Sequence, residues 1–200
     1  MGQQLNRTRQ YVGMTACALG TLSALLAPVS VFAATTTEVT GNAGQTEVTV
    51  KAAEGNIVFE VPTVIPFAAG GDGTLIAPEN EYLQIKNKSI FDIHVTNMKV
   101  AQEEPWNIVD DASNSQESNA IDFQIGPNAD MKKASNASQE DGINLANNAN
   151  WDMGYLGSGN ETLQLSASGH IADVTEDLSA EGGSKVAVIT WTVEAGQHHV

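Results

Sequence analysis

The sequence predicts an all-β protein: a two-sheet antiparallel sandwich of Ig-like or jelly-roll topology with about eight strands, behind a cleaved N-terminal signal peptide. Three observations predict it. Short segments alternate apolar and polar residues between clusters of Gly, Asn, Asp and Pro, and no long stretch repeats at the 3.6-residue helical period. The number and length of these segments suit two packed sheets better than one open sheet. The first 33 residues have the three-part layout of a secretory signal.

That leader has a polar start with Arg7 and Arg9, an apolar stretch from Tyr11 to Leu26, then Pro28 and small residues. Val31-Phe32-Ala33 places small or β-branched side chains where a signal peptidase reads them, so cleavage is expected after Ala33. An uncleaved anchor is the alternative, because Tyr11 to Ala34 just reaches the roughly 20 apolar residues of a membrane span. Pro28 and the small-residue site favour cleavage, which leaves no membrane span. Cys17 does not end the apolar run, as a lipidated cysteine would.

Cleavage removes both arginines and the only cysteine. Seven lysines against 24 acidic residues then leave a net charge of −17, a surface that repels nucleic acid and anionic lipid. Without cysteine there is neither a disulfide framework nor thiolate chemistry, so stability must come from an ordinary core. The 167 residues from Ala34 to Val200 suffice for one domain burying roughly 70% of its unfolded surface. The expected organisation is a flexible arm over 34–45 and a single sandwich domain over 46–200, with a long loop at 127–160.

The candidate strands follow in order. Glu47 to Lys51 and Ile57 to Val61 come first, the second with Ile57, Phe59 and Val61 on one face. Gly70-Gly71-Asp72-Gly73 has tight-turn composition and is expected to close a hairpin. Tyr82 to Lys86 precedes Ile90 to Val100, in which Phe91, Ile93 and Val95 share a face before the apolar phase shifts to Met98 and Val100; a bulge near Asn97 accounts for the slip. Then come Trp106 to Val109, Ile121 to Ile125 with Ile121, Phe123 and Ile125 inward, Thr162 to Ala167, and Lys185 to Glu194. The last is apolar on both faces at its start, which predicts a central strand.

Pro127 to Asn160 is rich in Asn, Ala, Ser, Asp and Gly, and a connection of that length without structure of its own is usually functional or disordered. Trp151, Met153 and Tyr155 form an aromatic island within it, the candidate binding surface for a glycan or a partner protein. Folding of that loop back onto the sandwich is the equal alternative. Trp191 is expected to anchor the core, and Trp106 to pack over a sheet edge.

Catalytic motifs are missing: there is no H-E-x-x-H, no G-x-S-x-G and no Walker-type glycine loop. Gly157-Ser158-Gly159 reads as a turn. His94, His170, His198 and His199 are scattered, so no metal or other cofactor is expected. Asp110, Asp111 and Asp152 are candidates for meeting at one end of the sandwich, where paired acids hydrolyse glycosides or bind calcium. A chain this acidic produces such pairs by chance, and a solvated rim is the favoured reading.

Val186-Ala187-Val188-Ile189-Thr190-Trp191-Thr192-Val193 resembles the terminal strand of the WxL-type surface proteins of Gram-positive bacteria, with Val193 where leucine is expected. The resemblance implies a secreted β domain held non-covalently on the cell wall, with Trp191 and Val193 in the wall-association motif. The spacing of the Asn87 to Val95 strand and the final strand is similar to the camelysin and TasA group of fibre-forming β proteins. Two function classes follow: a non-catalytic surface or wall-associated module that binds a wall polymer or surface protein, or a structural subunit of a fibre or matrix. The second self-associates by strand addition, with Ala34 to Gln45 as the candidate donated strand. No LPxTG-type sorting signal follows Gly196, which fits non-covalent association.

Overall fold

The computed structural model describes residues 56–179 and 183–198. The signal peptide, Cys17, the arm over 34–45, the strand expected at Glu47 to Lys51 and His199 lie outside the described residues.

Antiparallel β-sheets dominate the described chain. Its strands are β1 (Phe59–Glu60), β2 (Ala68–Ala69), β3 (Thr74–Ile76), β4 (Gln84–Asn87), β5 (Ile93–Gln102), β6 (Asn107–Ile108) and β7 (Ala120–Gly126). Next come β8 (Lys132–Lys133), a single helical turn α1 (Ala134–Ala137), β9 (Ile143–Asn144), β10 (Asp152–Met153), β11 (Thr162–Gln164), β12 (Ser166–Ala172) and β13 (Ala187–Ala195). One sheet runs β1-β4-β11, a second β2-β3-β12-β7-β6 with β8 also on β7, and a third β10-β5-β13 with β9 also on β5. β6 pairs with β7 in parallel, the one departure from the antiparallel expectation among the described residues.

The alternation in the sequence explains the buried faces. Ile121, Phe123 and Ile125 of β7 are buried as expected, and so are Ile93, Val95, Met98 and Val100 of β5. The expected bulge is present: Thr192 pairs with Asn97 and Val193 with Val95, so Thr96 is the extra residue that shifts the phase. Gly70 to Gly73 closes the β2–β3 hairpin, with the Gly73 amide donating to the Gly70 carbonyl at 3.0 Å. Gly73 has φ +88° and a Cβ there would strike Ile171 and His170, so only glycine fits.

Three expectations are corrected. Among the described residues, where seven of the eight expected strands fall, there are thirteen strand segments, because long runs are interrupted: Leu165 alone separates β11 from β12, and only Phe59–Glu60 of Ile57 to Val61 pairs. The connection over 127–160 supplies β8, α1, β9 and β10 and buries Ala134, Ala137, Leu145, Trp151 and Met153, so it belongs to the core. β13 is not central. Among the described residues it pairs with β5 alone and is an edge strand, with Ala187, Ile189, Trp191 and Val193 half-buried and Val188, Thr190, Thr192 and Glu194 exposed. The apolar start of β13 reflects one face on the core and an exposed Val188, not cover on both sides.

Candidate functional site

The aromatic island does not form the surface expected of it. Trp151 and Met153 are fully buried, and only Tyr155 is exposed. Asp130 is the reason. Its carboxylate accepts from Trp151 Nε1 at 2.7 Å and from Asn148 Nδ2 at 2.6 Å, and pairs with Lys132 Nζ at 2.6 Å. The indole N–H thereby keeps a partner inside the protein, which lets the ring be buried at no cost in unsatisfied polar groups. Burial by itself would raise the Asp130 carboxyl, but the hydrogen bonds from Lys132, Trp151 and Asn148 outweigh it and hold the group below its usual range. Gly126, at φ +152°, lets the chain close over this ring: a Cβ there would lie 2.8 Å from the Asp130 carbonyl and 3.0 Å from the indole. Gly157-Ser158-Gly159 is a turn, with both glycines at positive φ and the Ser158 amide donating to the Tyr155 carbonyl.

Trp191 stacks on Trp151 with ring centroids 5.8 Å apart, so one face of it belongs to the core. It is only half-buried, because it also lines an apolar groove of about 860 Å³. β13 forms one wall through Ala187 to Ile189 and Trp191. Pro62 to Ala69 forms the other wall, as a strap that joins β1 on β4 to β2 on β3. Leu75, Ile121, Phe123, Ile125 and Ile171 line the groove between them. Phe67 packs on Phe123 with centroids 6.1 Å apart, while Val64 is 75% exposed at the rim. Trp106, directly ahead of the edge strand β6, also lines the groove and is buried, its Nε1 donating to Ser184 Oγ at 2.9 Å.

The strap was not read from the sequence as a wall of the groove, although it left a signal. Val64, Ile65 and Phe67 are apolar, yet Pro62 and Pro66 lack the N–H groups a strand ladder needs. An apolar run that cannot pair is a wall. Of the motif residues, Val193 lies half-buried on the same face of β13 as Trp191 and packs against the core.

The acidic residues separate. Asp110 and Asp111 share a shallow hollow of about 310 Å³ with Asp122 and Lys133. Each is already engaged: Asp110 accepts from Ser135, Asp111 from Asn114 and Asp122 from the Ala112 amide. Asp152 is held elsewhere, by the ring and the backbone amide of His198. Among the described residues no three His, Cys, Asp or Glu side chains are placed to hold a metal ion. No helix of the described chain is long and apolar enough to cross a membrane. No protein-family model, no curated protein and no solved structure matches the chain.

Proposed function

We propose that this chain is exported, cleaved behind Ala33 and retained at a Gram-positive bacterial surface as a non-catalytic binding module. In this reading it is a two-layer sandwich. The β1-β4-β11 and β2-β3-β12-β7-β6 sheets form one layer, joined along β3 to β4 and β11 to β12, and β10-β5-β13 forms the other. The observation that carries the function is the nine-residue edge of β13 standing over an apolar groove.

An unpaired strand edge presents a row of main-chain donors and acceptors, and an adjoining groove takes the alternate side chains of an added strand. That chemistry suits an extended polypeptide rather than a glycan. The acidic surface also repels anionic wall polymers. A surface protein is therefore the favoured partner. The same edge supports the second reading, a fibre subunit, since a copy of this chain can supply the strand.

The test is co-sedimentation of the secreted chain with intact walls and with walls stripped of protein by protease. Binding to intact walls that falls at least tenfold on stripped walls, and falls similarly for Val64→Asp, supports the reading. Equal binding to stripped walls, indifferent to Val64→Asp, contradicts it. Large assemblies formed by the chain alone at high concentration favour the fibre subunit.

A further inference from the structure

We infer that the occupant of the groove is a cationic extended strand of a partner protein, with apolar side chains turned inward at alternate positions and lysines or arginines turned outward to carboxylates at the groove's rim. The inference rests on the proposed use of that groove as the binding surface and names the chemistry of what it takes.

The main chain of β13 sets the geometry. The Glu103 amide donates to the Val186 carbonyl at 2.9 Å, and bonded positions alternate along an antiparallel ladder. Val188, Thr190 and Thr192 therefore turn their amides and carbonyls to β5, whereas Ala187, Ile189 and Trp191 turn theirs to the other side. Beyond the bulge the Gly196 amide donates to the Asp92 carbonyl at 2.7 Å, which keeps the same phase and places Val193 with the outward set. Ala187, Ile189 and Trp191 are also residues whose half-buried side chains line the groove. A strand laid along this edge thus takes main-chain bonds and apolar contacts from the same residues. Its own side chains alternate between the groove and solvent.

Charge selects among strands of that kind. Glu103 and Glu104 lead into Trp106, and Glu176 and Asp177 lead into Leu178; both Trp106 and Leu178 line the groove. Lys185, the one charged residue lining the groove among the described residues, is already paired with Glu103 at 2.6 Å. Glu104, Glu176 and Asp177 have no cation against them among the described residues. The Asp177 carboxylate accepts from the hydroxyl and the amide of Ser179, which hold it below its usual range and therefore ionised. Three carboxylates without a counterion beside an apolar slot complement a strand that carries positive charge on its solvent side. A second copy of this chain fits poorly, because it brings the same strongly negative charge.

Fluorescence polarisation of a dye-labelled octapeptide alternating valine and lysine, titrated with the secreted chain, tests the inference. Two control peptides replace the lysines with glutamate or the valines with serine. The valine–lysine peptide should bind at least tenfold more tightly than either, and should weaken several-fold between about 0.05 and 0.3 M salt. Glu104→Lys/Asp177→Lys should shift the preference towards the glutamate peptide. Glu140→Lys/Asp141→Lys, the same change in charge next to β9 on the far edge of β5, should leave it unaltered, and unchanged melting verifies the fold of both. N-methylation should abolish binding when placed on the valines if the strand adds antiparallel, or on the lysines if it adds parallel. Equal binding of the lysine and glutamate peptides, equal effects of the two charge-reversed pairs, or indifference to both methylations overturns the inference. Binding by none of the peptides also overturns it, and capture of protein-bearing walls then separates the two levels. Capture that is lost in Val64→Asp keeps the groove as the binding surface with an occupant of other charge, whereas capture indifferent to Val64→Asp removes the reading on which the inference rests.

Discussion

The segment over 127–160 and the strand β13 exchange the roles their compositions suggest. The first is poor in large apolar side chains and rich in Asn, yet it places Trp151, Met153 and Leu145 among the most buried residues of the protein. The second is a strongly apolar strand, yet among the described residues it lies at an open edge with Val188 40% exposed. The difference teaches that burial follows from satisfied partners rather than from apolar content. One carboxylate, Asp130, gives the indole of Trp151 an acceptor and ties Asn148 to the same point. β13 has an apolar face but only one strand to pair with among the described residues.

The comparison is broken most severely by removing the anchored segment. Replacing residues 130–158 with a short Gly-Ser linker should abolish cooperative thermal unfolding, since five buried side chains go with it. Trp151→Ala alone should cost about 3–5 kcal/mol in denaturant unfolding, the range for a fully buried large-to-small change. Trp191→Ala, which empties a half-buried site, should cost about 2 kcal/mol by scaling that range. Equal losses at the two tryptophans would erase the distinction between anchored segment and open edge.

A smaller effect sharpens the role of Asp130. Its carboxyl is held below the ordinary value of 3.8 in the folded chain, so its contribution is fully present above that value and is lost as pH falls through the folded one. Asp130→Asn should cost about 1 kcal/mol at neutral pH and flatten the stability profile below about pH 4. A variant profile as steep as the wild type's would assign the acid loss to other carboxylates.

Alternation along a strand was the legible part of the fold. Ile121, Phe123 and Ile125, the Gly70 to Gly73 turn and the bulge beside Asn97 could all be read because side-chain period and turn chemistry are local. The neighbours of β13 could not, since alternation reports which face is inward and not how many strands pair at the edges. The fate of Trp151 was equally hidden: it depends on Asp130, 21 residues away in the chain, and nothing in the spacing marks that contact. The groove was half legible, through a prolyl strap too apolar for a solvent loop and unable to form a ladder.

The most direct test of the binding surface sets Val64→Asp, on the groove rim, against Tyr155→Ala, the exposed remnant of the aromatic island. Both residues are exposed, so each change should shift stability by less than about 0.5 kcal/mol. Co-sedimentation with protein-bearing walls should then fall at least tenfold for Val64→Asp and remain at the wild-type level for Tyr155→Ala; the reverse pattern would return the recognition surface to the loop and contradict the assignment to β13 and its groove.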